Sequence, residues 1–190
     1  MRKLVCLLHV SLDGFIAGVN GEMDWIVVND DLFDKVGEIV DQADIAVYGR
    51  VTFQMMEAYW PTAADKPNAS KHDIEHGNWS NKALKLVASH SMSQTSWQNT
   101  QFINIDFPEA ITHYKQQEGK NLLLIGSASL VHLLAPLGLI DEYWISLNPV
   151  ILGRGIPLFK NVREIIHLEL ESAQTLKSGV VFLHYINRHG

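Results

Sequence analysis

The segment 121–134, NLLLIGSASLVHLL, constrains the fold of this chain more than any other. Its apolar run of strand length, 122–125, ends at Gly126 and Ser127, and the apolar residues that follow recur at helical spacing. A buried strand therefore passes directly into a helix. The glycine permits a close approach of a ligand, and the first N–H groups of a helix have no partner within it, which suits a phosphate. Small residues can also serve only to pack helix on sheet, so this segment alone leaves both interpretations open.

A second corner of the same kind follows the apolar run 43–48. It consists of Gly49, Arg50, Val51 and Thr52, and apolar residues at helical spacing continue after it. The arginine and the threonine add a cation and a hydroxyl for an anionic group, although a surface arginine in an ordinary first turn is the structural alternative. Two such corners at the carboxyl ends of strands are what a nucleotide crevice in an open α/β sheet requires.

The order of the elements predicts the fold class. Buried strands alternate with helices through the first two thirds of the chain, and one helix is expected after the capping cluster Asn29, Asp30 and Asp31. A long strand and an antiparallel hairpin then end the chain. The expected strands are 4–10, 43–48, 84–89, 102–105, 121–125, 143–152, 167–175 and 180–187. We therefore expect a single three-layer α/β domain over residues 1–190, with a central mixed sheet whose C-terminal strands are antiparallel.

The polar, proline-containing segment 61–81 is expected to be an exposed excursion with at most one short helical piece. His72 and His76 lie one helical turn apart in it, a spacing that suits a metal ion in principle. No third ligand lies near them in the sequence, so no metal site is predicted.

Composition excludes several classes of function. The chain has 21 acidic and 15 basic residues, and this net charge of −6 argues against a nucleic-acid surface. Its single cysteine, Cys6, falls inside the first strand, which excludes a disulfide framework and fits a cytoplasmic protein. The run 122–140 is long enough to span a bilayer, but Gly126 and Pro136 interrupt it, so a core strand and helix explain it better than a membrane span.

Four segments together resemble the dihydrofolate reductase superfamily in order and spacing. They are SLDGFIA at 11–17, YGRVTF at 48–53, LLLIGSASL at 122–130 and LIDEYWISLNPVILGRGIPLF at 139–159. The resemblance is closest to the reductase domain of bacterial riboflavin biosynthesis and its stand-alone relatives, and it covers residues 4–159 apart from the excursion. It implies a central mixed sheet, a bound NADPH and often a homodimer.

The resemblance also implies a set of cofactor residues. The strand-to-helix corners would hold the phosphates, the pyrophosphate and the nicotinamide, and a serine would lie near the adenosine 2′-phosphate. These residues are Gly49, Arg50, Val51, Thr52, Ser89, Gly126, Ser127, Ala128, Ser129 and Leu130. Two features depart from the family: dihydrofolate reductases usually have two adjacent glycines where this chain has Gly126 and Ser127, and His90 stands where NADPH-preferring members often have a basic residue. Arg50 favours NADPH over NADH.

At the substrate end, dihydrofolate reductases carry a tryptophan in the loop over the site and a carboxylate five residues later. Trp25 and Asp30 have that spacing here, and Ser146 stands where a threonine supports the carboxylate. By this resemblance Asp30 would be the catalytic acid that relays a proton to a ring nitrogen. The alternative is that Asp30 only caps the helix that follows.

The segments SLDGFIA and NPVILGRG resemble the riboflavin-pathway reductase more fully than they resemble the folate reductases, so they favour the former. Its substrate is a ribosylaminopyrimidine phosphate, so Asp13 would contact the substrate hydroxyls and Arg154 its phosphate. Asp13 as a turn former and 153–155 as an irregular strand end are the structural alternatives.

The expected function is therefore an NADPH-dependent reductase that resembles 5-amino-6-(5-phosphoribosylamino)uracil reductase and acts on a small heterocyclic or sugar-bearing substrate. A dihydrofolate or pterin reductase is one alternative. A non-catalytic nucleotide-binding protein on the same fold is another, because fold does not fix function. A module whose C-terminal strands form a dimer face is the third.

Overall fold

A computed structural model of the chain describes residues 1–188. It has ten strands, five α-helices and one 3₁₀ helix, Trp60–Asp65. The strands are β1 Leu4–Ser11, β2 Phe15–Ala17, β3 Ala43–Gly49, β4 Leu84–Ala88, β5 Thr100–Ile103, β6 Asn121–Ile125, β7 Glu142–Asn148, β8 Ile156–Pro157, β9 Glu169–Thr175 and β10 Val181–Ile186. The helices are α1 Asp30–Val40, α2 Arg50–Glu57, α3 Lys71–Lys82, α4 Phe107–Gln116 and α5 Ala128–Leu134. None of these helices is long and apolar enough to cross a bilayer.

Eight strands form one mixed sheet in the order β5-β4-β3-β6-β1-β7-β10-β9. The six strands from β5 to β7 are parallel, whereas β10 is antiparallel to both β7 and β9. This arrangement confirms the predicted α/β fold with antiparallel C-terminal strands. Because β3, β4, β6 and β1 run in the same direction, their carboxyl ends lie along one edge of the sheet. The loops and helix starts that follow them share that edge.

Alternate side chains of β1 point to opposite faces of the sheet, and each set packs against a separate layer of helices. Leu4 and Leu8 belong to a core that includes residues of α4 and α5, whereas Val5 and Leu7 belong to a core that includes residues of α1. A third cluster, around Phe53 of α2, joins this second side through Trp79 of α3. The sheet is therefore covered on both faces, as strands without polar alternation require.

Helix α1 begins where the sequence predicts it. The Asn29 side chain accepts a hydrogen bond from the Leu32 backbone N–H at 3.0 Å. Asp30 and Asp31 occupy the first turn, where carboxylates interact favourably with the positive end of the helix dipole. Asn29, not Asp30, is the capping residue.

The prediction of an exposed excursion over 61–81 is wrong. That region holds the 3₁₀ helix and the twelve-residue α3, which begins at a capping box between Ser70 and Asp73. The buried positions of α3 are His76, Gly77 and Ser80, so its inner face carries no apolar periodicity that a sequence pattern could reveal. The two histidines of α3 pack against aromatic rings: His72 stacks on Phe33 at 3.8 Å and His76 lies 4.2 Å from Trp60, both measured between ring centroids.

Several predicted strand boundaries also differ, most of all those of β7 and β5. The strand expected over 143–152 is β7, which ends at Asn148 because Pro149 follows and the chain then turns, with Val150 N–H donating to the Asn148 carbonyl. The strand expected over 102–105 is β5, which begins and ends two residues earlier. The predicted C-terminal hairpin is confirmed as β9 and β10.

The buried His76 predicts that acid destabilises the fold. Neither of its ring nitrogens has a hydrogen-bond partner among residues 1–188, and burial lowers the pKa of His76 to about 3. The unfolded chain takes up this proton near pH 6.5 whereas the folded protein does not, so this contribution to stability is present above pH 6.5 and is lost as the pH falls toward 3.

Urea unfolding of the wild type and of His76→Phe at pH 7 and pH 5 measures this effect. We expect the wild type to lose ~2 kcal/mol more of its unfolding free energy than the variant between the two pH values. The exposed His113→Phe variant is the control and should lose as much as the wild type. An equal loss in His76→Phe and the wild type would contradict the assignment.

Candidate functional site

A cleft of about 1100 Å³ opens at the edge of the sheet where the parallel strands end. Its lining comes from β1, from the loop after β2, and from the segments that follow β3, β4, β5 and β6. Ile156 of β8 completes it. This is the position in which open α/β sheets bind ligands.

The two strand-to-helix corners meet in this cleft. We refer to 49–52 as the β3–α2 corner and to 126–130 as the β6–α5 corner. They are brought together because β3 and β6 are adjacent, with Val47 paired to Leu124. A Cβ atom on Gly49 would overlap Ser127 Oγ, and one on Gly126 would lie 3.6 Å from Thr52 Cγ2. Both helix starts therefore face one crevice.

The β6–α5 corner contains two successive residues in the left-handed region. Gly126 has a φ of 58° and Ser127 a φ of 65°. Glycine adopts this conformation without penalty, but a serine there costs roughly 1 kcal/mol. The resulting turn starts α5 directly, because the Ser127 carbonyl accepts hydrogen bonds from Leu130 and Val131 N–H at 3.0 and 3.1 Å. A serine thus takes the backbone conformation for which the paired glycines of the resembled family are suited.

Arg50 and Ser89 give the cleft its polar groups near these corners. Arg50, the first residue of α2, is exposed, and its Nη1 donates to Gln54 Oε1 at 3.1 Å. It is the only lysine or arginine in the cleft lining that residues 1–188 provide. Ser89 Oγ accepts hydrogen bonds from Met92 N–H at 2.9 Å and Ser91 N–H at 3.3 Å, which leaves its hydroxyl proton free for a ligand.

Nearly all of the predicted cofactor residues line the cleft. They are Arg50, Val51, Thr52, Ser89, Gly126, Ser127, Ala128, Ser129 and Leu130. Gly49 lies directly beside Ser127, where any larger residue would displace the serine side chain. The structure thus brings the predicted cofactor set together at one crevice.

The predicted substrate residues are not among the side chains that line the cleft. Asp30 is exposed at the first position of α1. Trp25 is half-buried and its Nε1 donates to the Glu22 carbonyl at 3.0 Å. Ser146 is fully buried in β7, with no hydrogen-bond partner for its hydroxyl among the described residues, and Arg154 is exposed. Their roles toward a substrate remain predictions that this geometry does not support.

Asp13, the fifth predicted substrate residue, is engaged within the chain. Its carboxylate accepts hydrogen bonds from Ser11 Oγ at 2.7 Å, Leu152 N–H at 3.1 Å and Gly153 N–H at 2.7 Å. These bonds, that from Ser11 first, hold the pKa of Asp13 below its usual value. Asp13 therefore ties the turn after β1 to the loop after β7.

Two histidines that the sequence analysis did not single out lie in the cleft lining. His9 of β1 is largely buried, its Nδ1 has no hydrogen-bond partner in the described part of the chain, and burial lowers its pKa to about 4, so the ring is neutral at pH 7. His132 of α5 lies 3.0 Å from the Pro157 carbonyl through its Nε2. The signal for His9 was a lone imidazole inside the apolar strand LVCLLHV.

The fold and the cleft define a dihydrofolate reductase-like α/β protein with a large crevice at the carboxyl ends of its parallel strands. Within that class, the chain belongs to the RibD C-terminal domain family, whose model matches residues 2–182. A protein of Bacillus subtilis strain 168, YyaP, is 36% identical over 186 residues, which are 97% of this chain and 94% of that protein.

Solved structures with low identity share the fold. One is a diaminohydroxyphosphoribosylaminopyrimidine deaminase/5-amino-6-(5-phosphoribosylamino)uracil reductase from Thermotoga maritima, with 13% identity and a TM-score of 0.69. The alignment covers 98% of this chain and 57% of that protein. Another is the dihydrofolate reductase from Enterococcus faecalis complexed with NADP(H), with 15% identity, a TM-score of 0.64, and coverage of 98% and 97% of the two chains.

The Asp13 contacts predict a loop that loosens when the carboxylate is removed. In Asp13→Ala, the Leu152 and Gly153 amides lose their acceptor, so we expect their hydrogen exchange to accelerate at least tenfold while the exchange of the β1 amides is unchanged. Asp13→Asn keeps one acceptor oxygen and should give an intermediate rate. Wild-type exchange rates in Asp13→Ala would show that the carboxylate does not hold the loop.

Proposed function

We propose that this protein is an NADPH-dependent reductase that transfers hydride to a small carbonyl or imine substrate. The observation that carries the proposal is the meeting of the two corners at Gly49 and Ser127, which leaves one crevice between two helix starts. Membership of the RibD C-terminal domain family supports it. So do the names of two proteins with the same fold, one a phosphoribosylaminouracil reductase and the other a dihydrofolate reductase bound to NADP(H).

The residues of the crevice fit a dinucleotide. Gly49 lacks the Cβ that would push Ser127 into the crevice. The backbone N–H groups at the start of α2 are free to bind a phosphate, and the Arg50 guanidinium beside them supplies a cation. The cleft of about 1100 Å³ slightly exceeds the usual range for a single small ligand, roughly 300 to 1000 Å³, so it has room for a cofactor and a substrate together.

The chain's own contribution is binding and orientation. When bound, the nicotinamide supplies the hydride. In this proposal Arg50 and Thr52 hold the phosphates, the Ser89 hydroxyl donates to the adenosine end, and the β6–α5 corner supports the remainder of the cofactor. The apolar part of the lining gives a substrate a surface on which to pack.

The alternatives have less support. A folate or pterin reductase needs a carboxylate over the substrate, and Asp30, the residue with the matching spacing, does not line the cleft. A non-catalytic nucleotide-binding protein would bind NADPH without oxidising it with any carbonyl or imine compound. Homodimer formation and a cytoplasmic location remain predictions.

Quenching of tryptophan fluorescence by NADPH and by NADH tests the proposal. We expect NADPH to bind the wild type, and Arg50→Ala to weaken that binding at least tenfold, because a charge-assisted hydrogen bond to phosphate contributes roughly 1.5 to 3 kcal/mol. We expect Arg50→Ala to weaken the binding of NADH less than that of NADPH. Arg163→Ala, a change of an exposed arginine outside the cleft lining, is the matched control and should bind NADPH as the wild type does. No binding of either nucleotide at millimolar concentration would refute the proposal.

A further inference from the structure

One part of the cleft outside the two corners is an apolar wall that is open to solvent. We define the apolar wall as Ile16, Met23, Ile26, Val28, Met55, Leu133 and Ile156, all of which line the cleft. Met23, Leu133, Met55 and Val28 are 37%, 41%, 48% and 53% exposed. Large apolar side chains exposed together in a concave surface mark a ligand site, and methionine adapts its shape to flat or irregular ligands.

This wall carries no formal charge. Among the lining residues within 1–188, Arg50 and Asp106 are the only members of the Lys, Arg, Asp and Glu group. Arg50 belongs to the β3–α2 corner. Asp106 caps α4, accepting from Glu109 N–H at 3.1 Å, and follows β5, whose Ile103 carbonyl bonds Ser89 N–H. A phosphate placed against the apolar wall would therefore give up part of its hydration without gaining a lysine or arginine, which is unfavourable.

His9 is a polar group of the cleft lining outside the two corners, where His90, Ser91 and Asn104 also lie. Its Nδ1 is closed off from solvent and has no partner, while the ring keeps part of its surface open to the cleft. Nε2 is therefore the accessible nitrogen. A proton on Nε2 can be hydrogen-bonded by a ligand or water, whereas a proton on Nδ1 could not, so we assign the Nε2–H tautomer. A neutral imidazole of this kind donates to a carbonyl oxygen or an imine nitrogen.

The other histidine at this wall is already engaged. His132 Nε2 lies within hydrogen-bond distance of the Pro157 carbonyl, and this contact joins α5 to β8. The Nε2 atom is therefore not available to a ligand. The charged residues that the family resemblance implies for a sugar phosphate, Asp13 and Arg154, are both outside the lining. The wall thus offers apolar surface, and His9, in the same cleft lining, adds a buried hydrogen-bond donor.

Resting on the proposed reductase function, we propose that the substrate is an uncharged, apolar carbonyl or imine compound, and not a phosphorylated sugar. Its ring or hydrocarbon body packs on the apolar wall, and its acceptor atom takes a hydrogen bond from His9 Nε2. His9 is then a substrate-recognition residue of this protein.

A matched pair of probes tests the substrate class: 1-naphthol, which is neutral at pH 7, and 1-naphthyl phosphate, which carries the same rings and an anionic group. Each probe is titrated calorimetrically into two proteins. The first is the wild type saturated with NADP⁺, in which the cofactor occupies Arg50. The second is cofactor-free Arg50→Ala, whose cleft lining within 1–188 has no lysine or arginine. In both, we expect naphthol to bind at least tenfold more tightly than naphthyl phosphate.

Equal or tighter binding of the phosphate, or no binding of either probe at millimolar concentration, would overturn the inference. Titrating both the wild type and Arg50→Ala distinguishes a failure of the proposed function from a failure of the proposed substrate class. If NADP⁺ does not bind the wild type, the proposed function fails, and the Arg50→Ala titration still decides the substrate class. If NADP⁺ binds but the phosphate is preferred, the function stands and the substrate class is wrong.

Variants of the wall and of His9 give independent readouts. Val28→Arg places a cation on an exposed wall position and should reverse the preference toward naphthyl phosphate. His9→Phe keeps a ring but removes the donor, and naphthol binding should weaken about fivefold, as expected for one hydrogen bond of about 1 kcal/mol. His9→Gln restores an N–H donor and should recover most of that loss. Unchanged naphthol affinity in His9→Phe would remove His9 from the assignment.

Discussion

The packing of Gly49 against Ser127 is the contact on which the cleft depends. Because β3 and β6 are adjacent and parallel, both strands end at the same edge of the sheet, and each is followed at once by a helix. The absence of a side chain on Gly49 lets the Ser127 side chain lie beside it. A larger residue there would push the two helix starts apart or force the serine into the crevice.

The chemistry of the cleft follows from which strands surround this contact. On one side of β6 lies β3, with Arg50 immediately after it, and on the other lies β1, which carries His9. Arg50 and His9 are thus placed by the two strands that flank β6. Asp13, in the turn after β1, accepts hydrogen bonds from the loop that leads to β8, so the turn that follows the His9 strand also holds this loop.

Local signals were sufficient for the scaffold. Gly126 and Ser127 after an apolar run, and Asn29 before a periodic one, predicted a corner and a helix that the structure contains. Long-range contacts were not accessible in this way. The Asp13 carboxylate bonds amides 139 and 140 residues away, so nothing near Asp13 in the sequence distinguishes a loop anchor from a ligand contact. Helix α3 was missed because its buried face is His76, Gly77 and Ser80, which carry no hydrophobic periodicity.

A crystal structure of the protein with NADP⁺ tests the central claim most directly. The account predicts density for the diphosphate between the first turn of α2 and the β6–α5 corner, with the Arg50 guanidinium turned from Gln54 toward a phosphate and the nicotinamide beside His9. A cofactor bound elsewhere on the molecule, or a crevice that remains empty at saturating NADP⁺, would contradict it.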